Sequence, residues 1–378
     1  MISWRAGAVV QVGRRWSGAL ELRVALERPV GDGDEVRALA YPALVGEPLV
    51  GDRVLLNVAA QARGLGTGGY ALVVAVPDRL PPDPPPGPGH LVKARYTPLQ
   101  AMVLGVDEQE SEHHGQLAGA DDLADLPVVV ADLHSALPAV VAGARWAAAT
   151  AGRRPPRVAY VMTDGGALPA WFSRTAAALR GAGWLEATVT VGQAFGGDLE
   201  AVTVHSGLLA AHRVVRADLV VVAQGPGNLG TGTRWGFSGV GAGEAINAVA
   251  VLGGRPVASL RVSGADPRDR HRGVSHHSLT AYGRVALAPA DLVVPVAEAD
   301  DPEREARGAL LRRVAEQADD LCPPHRRVDV ATGAQLREVL AECPVELSTM
   351  GRRLPEDPEA FLAAAAAGVH AESLRTTA

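Results

Sequence analysis

The sequence predicts an α/β protein, in which a mostly parallel sheet flanked by helices follows a small N-terminal antiparallel β domain with a barrel-like form. Three observations carry this prediction. Short alternating or β-branched runs fill the chain up to about residue 76. A proline-rich stretch follows, and beyond it apolar runs of about five residues alternate with alanine-rich segments. The predicted divisions are a β domain at 1–76, a linker at 77–90 and an α/β domain at 91–378.

Five runs in the first segment have the residue pattern of half-buried strands: AVVQV, ALELRVAL, EVRALAY, DRVLLNV and YALVVAV. Gly, Asp and Pro turns separate them, as between antiparallel strands. The next segment, PDRLPPDPPPGPGH, cannot continue a sheet or a helix because proline removes backbone donors and fixes φ. It is therefore the predicted domain boundary.

Six further runs are continuously apolar: PVVVADL, RVAYVMT, ATVTVG, DLVVVAQ, PVASLRV and DLVVPV. Strands of this kind, separated by helices, are typical of a parallel sheet covered on both faces. A helix is predicted over GEAINAVAVLGG, starting near Gly243. The tail, with EREARGALLRRVAEQADDL, GAQLREVLAE and PEAFLAAAAAGV, is predicted to be helical and to pack against the sheet.

Charge and hydropathy exclude several classes of partner. The chain has 36 basic and 42 acidic residues and no long block of like charge, so nucleic acid is not an expected partner. It has no apolar run of roughly 20 residues and no signal-peptide core near its start, so we expect a cytoplasmic protein without a membrane partner. The sequence leaves homo-oligomerisation open.

Cysteine and lysine usage narrows the chemistry. Cys322 and Cys343 form no CxxC pair, which argues against a thiolate metal site or a disulfide framework. Lys93 is the single lysine, and it lies in LVKARY rather than after a glycine-rich loop. A Walker-type nucleotide site requires a lysine at that place and is therefore excluded.

Polar residues follow five consecutive predicted strands. In an open parallel sheet, ligands bind outside the carboxyl ends of the strands. The residues expected to supply acid–base chemistry there are Asp132, His134, Asp164 and His276. The alternative is that these Gly, Asp and Ser clusters only cap helices and form tight turns.

A glycine-rich loop after DLVVVA formally matches GxGxxG from Gly225 to Gly230. A dinucleotide turn is disfavoured because Pro226 removes an amide, the predicted helix starts late and no acidic residue ends the next strand. We expect instead that the loop holds an anion with backbone amides and hydroxyls, the alternative being close packing alone. The candidate ligand-binding residues are Gly225, Gly227, Asn228, Gly230, Thr231, Gly232 and Thr233.

Residues 266–278, DPRDRHRGVSHHS, concentrate histidine and arginine. Such density suits metal ligation, proton transfer or an arginine clamp on an anion, although a solvated polar loop is the alternative. The ligand-binding candidates are Arg268, Arg270, His271 and Arg272. Because adjacent side chains point in different directions, at most one of His276 and His277 is expected to face a given site.

A divalent metal is a candidate cofactor, although neither HExxH nor an EF-hand loop occurs. Asp132 and His134 would share a face, with Cα atoms about 6.6 Å apart, if the strand continued through them. Asp164 would arrive from the neighbouring strand end. Asp198 is the fourth candidate ligand, but His205, two helical turns away, is too far to join it on one ion.

Three segments together resemble a bacterial family of actinobacteria and firmicutes known only as a domain of unknown function. They are GQAFGGDLEAVTVHSGL, GPGNLGTGTRWGFSGVGAGEAINA and DPRDRHRGVSHHS, and the likeness extends to YVMTDGGALP, LHSALP and the terminal STMGR. The resemblance implies a bacterial source and brings no assigned reaction with it.

The residues favour an enzyme, a hydrolase or group transferase, that acts on a small anionic metabolite at the carboxyl edge of the sheet. In this interpretation the glycine-rich loop and the arginines hold the anion. The alternative is a non-catalytic protein that senses a ligand or binds a partner at the same edge.

Overall fold

The computed structural model describes residues 1–31, 33–66 and 68–375. These residues form two compact units. The first comprises the described residues of Met1–Val103 together with Trp171–Ala177. The second comprises Leu104–Ala170 and the described residues from Ala178 onward. Within the described residues, no helix combines the length and the apolar character that crossing a membrane requires.

The first unit contains a closed five-stranded barrel in the order β1-β2-β3-β5-β4. The strands are β1 (Trp4–Trp16), β2 (Ala19–Val30), β3 (Gly33–Ala40), β4 (Arg53–Asn57) and β5 (Ala71–Ala75). Neighbours pair antiparallel except β3 and β5, which pair parallel. Alternate residues of β2, Leu20, Leu22 and Val24, are buried in the barrel interior. The predicted β domain is thus confirmed as a barrel.

The first unit continues past the proline-rich stretch. Residues 77–90, all of them described, contain no helix or strand. A short helix, α1 (Pro42–Val45), connects β3 to β4, and two short strands, β6 (Leu91–Lys93) and β7 (Ala101–Val103), pair antiparallel. Lys93, at the end of β6, is only 2% exposed.

The second unit is built on an eight-stranded sheet in the order β11-β10-β9-β12-β8-β13-β16-β17. Every pairing between these neighbours is parallel, which confirms the predicted α/β architecture. The strands are β8 (Pro127–Val130), β9 (Val158–Thr163), β10 (Ala187–Thr190), β11 (Leu199–Glu200), β12 (Leu219–Gln224), β13 (Arg255–Ser259), β16 (Asp291–Ala297) and β17 (Arg326–Thr332).

Helices cover both faces of this sheet. The helices of the chain from residue 104 onward are α2 (His114–Leu117), α3 (Leu137–Thr150), α4 (Arg174–Gly181), α5 (Val204–Arg213), α6 (Gly241–Val251), α7 (His276–Thr280), α8 (Arg304–Asp319), α9 (Ala334–Ala341) and α10 (Pro358–Ser373). Val128, Val130 and Val220 pack in one apolar cluster with residues of α5, α6 and α8. Helix α10 packs against α3 and against β8, β13, β16 and β17. Because side chains alternate along a strand, α3 and α10 cover the opposite face.

Helices α3 and α10 approach each other closely through two glycines. A Cβ on Gly143 would lie 2.1 Å from the carbonyl oxygen of Ala365, and one on Gly368 would lie 1.9 Å from that of Val140. Neither distance is compatible with a side chain. The alanines of α10 add little bulk, so the two helix backbones pack against each other almost directly.

The helical tail differs from the prediction. Strand β17 lies between α8 and α9. Buried and exposed residues are mixed along it, so no continuous apolar run marks this strand in the sequence. Two small antiparallel pairs also occur, β14 (Val262–Ser263) with β15 (Gly273–Val274), and β18 (Ser348–Thr349) with β19 (Arg352–Arg353). The predicted helices themselves are present, and α6 starts at Gly241, close to the expected position.

Candidate functional site

The sheet order places a crevice between the carboxyl ends of β8 and β12. These strands are neighbours, but the chain leaves β8 for α3 on one face and leaves β12 for α6 on the other. Ligands of open α/β sheets bind at such switch points. Here the loops are joined directly, because Gln224 Nε2 donates a hydrogen bond to the carbonyl oxygen of Asp132 at 2.8 Å.

Asp132 lies beyond the end of β8, which stops at Val130. The strand therefore does not continue through Asp132 and His134, so the condition under which they would share a strand face is not met. The Asp132 side chain is 3% exposed, and its Oδ2 lies 3.9 Å from His277 Nδ1. Burial raises the pKa of Asp132 to about 6, against the opposing charge of Arg261.

His134 begins a 3₁₀ turn that leads into α3. Its Nδ1 lies 3.0 Å from the hydroxyl of Tyr160, and that hydroxyl donates to the carbonyl oxygen of Gln224 at 2.9 Å. Because the phenol proton is engaged there, His134 Nδ1 carries a proton and donates to Tyr160. Burial lowers the pKa of His134 to about 4, so the ring is neutral at pH 7 with its lone pair on Nε2.

His271, His276 and His277 form a compact group, here called the histidine cluster. One ring nitrogen from each lies within 4.8 Å of the other two. The ring centroids of His276 and His277 are 4.4 Å apart, and both rings contact His271. The expectation that at most one of the adjacent histidines faces a site is wrong. They occupy the first two positions of α7, where directions differ by about 100° rather than 180°.

The imidazoles of the cluster are held neutral. Burial and then the charge of Arg261 lower the pKa values of His271 and His277 to about 3. Burial, followed by Arg270 and Arg261, also lowers the pKa of His276. Phe237 stacks on His277 with ring centroids 3.9 Å apart and nearly parallel planes.

Arg261 was not among the predicted site residues, yet it contacts the cluster. Its Nη1 lies 3.1 Å from His277 Nδ1. Arg268, which was predicted to hold an anion, instead makes a two-pronged ion pair with buried Asp266 at 2.9 and 2.8 Å. Arg270 and Arg272 are exposed. A Cβ on Gly232 would lie 4.0 Å from Arg270 Nη2, so this arginine lies beside the glycine-rich loop.

The glycine-rich loop folds back on itself. Gly230 and Phe237 form an isolated antiparallel β-bridge, and Thr231 N donates a hydrogen bond to Gly236 O at 2.7 Å. The hydroxyls of Thr231 and Thr233 lie 3.1 Å apart. Helix α6 begins only at Gly241, which agrees with the argument against a dinucleotide turn.

Three other loop residues have structural roles. Asn228 Oδ1 accepts hydrogen bonds from Gln224, Ser238 and Gly239. A Cβ on Gly225 would lie 2.5 Å from Ala167 O, so this glycine permits close packing. Gly227 has φ +93° and marks a turn in the same loop.

The four candidate metal ligands do not come together. Asp164 Oδ2 accepts from Gln193 N at 2.8 Å, and Asp198 pairs with Arg180 and with the amide of Thr188. In residues 1–31, 33–66 and 68–375, the histidine cluster is the one group of three or more possible ligands. Asp132 adjoins that cluster, whereas Asp164 and Asp198 organise neighbouring loops.

Buried polar atoms without hydrogen-bond partners concentrate at this edge. Of six such atoms in the described part of the chain, three are Asp132 Oδ2, Gln224 Oε1 and His276 Nε2. Two small cavities flank Asp132, one lined by Ser135, Arg261 and Arg352 and the other by residues that include Gln224. Unpaired buried polar groups are costly and call for an explanation, such as a bound molecule.

Sequence reasoning missed several members of the site. Arg261 was assigned to a strand that in fact ends at Ser259. Thr349 contacts Ser135 at 2.9 Å, and Arg352 pairs with Asp357 and Asp266. These residues come from the tail. They lie in STMGR, one of the segments that carry the family resemblance, but no motif with a known chemical role marks them.

A family model described as "Protein of unknown function (DUF3866)" matches residues 37–368. No curated protein and no solved structure matches the chain.

Proposed function

Because the chain belongs to the DUF3866 family, whose function is unknown, we propose its function from the geometry of its site. We infer a bacterial, cytoplasmic enzyme, a hydrolase or group transferase, that acts on a small anionic molecule at the carboxyl edge of the parallel sheet. The observation that supports this most is that three side-chain atoms on the loops at this edge, Asp132 Oδ2, Gln224 Oε1 and His276 Nε2, are buried and without partners among the described residues.

His134 is the proposed general base. Its proton lies on Nδ1, directed to Tyr160, so Nε2 carries the lone pair of the ring and is the nitrogen that would accept a proton from water or a substrate hydroxyl. Tyr160 fixes this tautomer through its own bond to Gln224 O. Gln224, which bonds Asp132 and Asn228 through Nε2, leaves Oε1 to receive a donor from the substrate.

The anion is proposed to lie against the glycine-rich loop and Arg270. Arg270 is exposed and adjoins Gly232, whereas Arg268 already forms an ion pair with Asp266. An arginine of this kind can make charge-assisted hydrogen bonds to a phosphate or a carboxylate. Asp132 is proposed to assist the acid–base chemistry in the buried part of the site.

The test is a thermal-shift screen of phosphorylated and carboxylated metabolites, followed by mass-spectrometric detection of turnover for each compound that stabilises the protein. Arg270→Ala is expected to weaken binding of a stabilising anion by roughly 10- to 100-fold, because it removes a charged hydrogen bond. His134→Gln is expected to reduce turnover by about 10²- to 10⁴-fold with little change in binding.

Arg255→Ala is the matched control, since Arg255 is exposed at the amino end of β13, at the opposite edge of the sheet. It should leave binding and turnover unchanged. Equal effects of the two arginine variants would overturn the anion site. Binding without turnover in the wild-type protein would overturn the enzyme and favour the ligand sensor.

A further inference from the structure

The proposed reaction assigns no step to the histidine cluster. For three nitrogens that lie within 4.8 Å of one another, there is a point no more than about 2.8 Å from each of them. A Zn–N bond is about 2.0–2.1 Å long. Each nitrogen would therefore move by less than about 1 Å to bind a common ion, which side-chain torsions can supply.

The ring nitrogens that remain for an ion can be assigned from their neighbours. Nδ1 of His271 lies 2.7 Å from the hydroxyl of Ser275. Nδ1 of His277 faces Arg261 and Asp132. His276 Nε2 is buried and has no hydrogen-bond partner among the described residues. From these contacts we expect Nε2 of each histidine to bind the ion.

Asp132 could accept the hydrogen bond that Nδ1 of His277 would donate if this histidine bound a metal ion. When an imidazole binds a metal through Nε2, its Nδ1 carries a proton that a carboxylate or carbonyl commonly accepts. In the structure Nδ1 faces Arg261 at 3.1 Å, and Asp132 Oδ2 lies 3.9 Å away without a partner in the described part of the chain. A proton on Nδ1 would give Asp132 its missing donor and would turn Arg261 toward the same carboxylate.

Most of the arginines around the cluster are paired with carboxylates. Arg268 and Arg352 are matched by the buried carboxylates of Asp266 and Asp357. Arg261 is matched by Asp132, whose charge acts on it directly. The charges of these three arginines and three aspartates sum to about zero, and Arg270, whose charge lowers the pKa of His276, adds one positive charge.

We propose that His271, His276 and His277 bind a divalent transition-metal ion that prefers imidazole ligands, zinc foremost. Three histidines leave one tetrahedral position for water or substrate, the pattern of catalytic zinc sites. Asp132 is a positioning residue that orients His277. The inference does not rest on the proposed reaction, because metal binding is measured without any substrate.

The test uses the full chain without an affinity tag. Metal content is measured by elemental mass spectrometry, and chelator-treated protein is titrated with Zn²⁺ and with Co²⁺, whose visible absorption reports tetrahedral nitrogen ligation. We expect one Zn²⁺ per chain. Asp132→Asn should weaken the affinity by about 10- to 100-fold, and His276→Gln should weaken it further.

The matched control is His205→Gln, because His205 is an exposed histidine on α5, outside the cluster. It should bind Zn²⁺ as the wild-type protein does. Circular dichroism checks the folding of each variant, and His271→Gln serves as a second cluster variant if His276→Gln fails to fold. Equal Zn²⁺ binding by the wild-type protein and a folded cluster variant would overturn the proposal, as would equal losses in His205→Gln.

The two proposals fail separately. Stoichiometric, cluster-dependent zinc in a protein that turns over no anion keeps the metal site and removes the enzyme. Turnover that depends on His134 but survives complete chelation keeps the enzyme and removes the metal site.

Discussion

At the scale of single residues, Asn228 shows how one side chain fixes a loop. Its Oδ1 accepts from Gln224 Nε2 at 2.9 Å, from the Ser238 hydroxyl at 3.0 Å and from Gly239 N at 3.3 Å. All three partners donate, so an oxygen is required at this position and the amide nitrogen is not. Asn228 was predicted to bind the ligand, but these contacts favour a role in holding the loop against β12.

We expect Asn228→Ala to lower the free energy of unfolding by roughly 1–3 kcal/mol, because three donors lose their acceptor. Asn228→Asp keeps an oxygen acceptor and should cost less. Urea denaturation measures both. Equal losses of unfolding free energy in the two variants would show that the oxygen acceptor at position 228 does not stabilise the protein.

Asp291 gives a residue-scale prediction on acid stability. Burial would raise its pKa, but hydrogen bonds from His370 at 2.7 Å and from Arg326 outweigh burial and lower the pKa to about 2, from an ordinary 3.8. The folded state therefore binds fewer protons than the unfolded state. The stabilisation is present above about pH 4 and is lost as the pH falls toward 2.

Asp291→Asn removes this titration. The free energy of unfolding of the variant should fall less steeply between pH 4 and pH 2 than that of the wild-type protein, as measured by urea denaturation across this range. Parallel pH dependences would contradict the assignment.

At the scale of elements, the contact between α3 and α10 depends on the absence of side chains. Gly368→Ala would place a Cβ 1.9 Å from the Val140 carbonyl oxygen. Alanine favours a helix over glycine by about 1 kcal/mol, so any loss of stability must come from the contact. We expect a loss of about 1–3 kcal/mol from overpacking.

Gly119→Ala is the control for this pair, because a Cβ there meets nothing within 4 Å. It should change the free energy of unfolding by less than about 0.5 kcal/mol. If Gly368→Ala proves as stable as the control in chemical denaturation, the backbones are not in direct contact.

Arg307 joins three elements. It lies on α8 and donates to Asp301, to Glu359 at the start of α10, and to Thr332 at the end of β17, where the distances to O and Oγ1 are 2.8 and 2.7 Å. The side chain is 6% exposed. Removing it takes from buried Glu359 the arginine that pairs with it and leaves Asp301 with Arg337.

Arg307→Met should therefore lower the free energy of unfolding by about 3–5 kcal/mol. Arg353→Met, which breaks the exposed pair with Glu346, should cost no more than about 1 kcal/mol. Guanidinium denaturation of both variants tests the difference. Similar costs would mean that burial does not determine the strength of the Arg307 pairs.

At the scale of the whole molecule, the sequence pattern predicted the barrel and the parallel sheet because both depend on local periodicity. The alternation in β2 and the continuous apolar runs of β8 and β12 are visible without any knowledge of their neighbours. Strand β17 was missed because it is an edge strand with a mixed burial pattern. The order of strands could not be predicted, since it depends on contacts between distant segments.

The site shows the same contrast between local sequence signals, which could be read, and contacts between distant segments, which could not. The position of Asp132 and His134 after a strand identified the edge, and the density of histidine in 266–278 identified the cluster. The approach of Arg261 to His277 and of Arg352 to Asp266 depends on how separate loops meet, which no spacing encodes. Asp164 and Asp198 follow strands as well, but the turn geometry at each of these positions directs the carboxylate to a nearby amide.

The burial of Lys93 has a practical consequence for chemical labelling. The chain carries one lysine, so its primary amines number two, this one and the α-amino group. With Lys93 only 2% exposed, an amine-reactive dye should label the folded protein at the N-terminus alone. A second label per chain would then report that the first unit has opened, read by intact-mass spectrometry at a single residue and without any engineered probe.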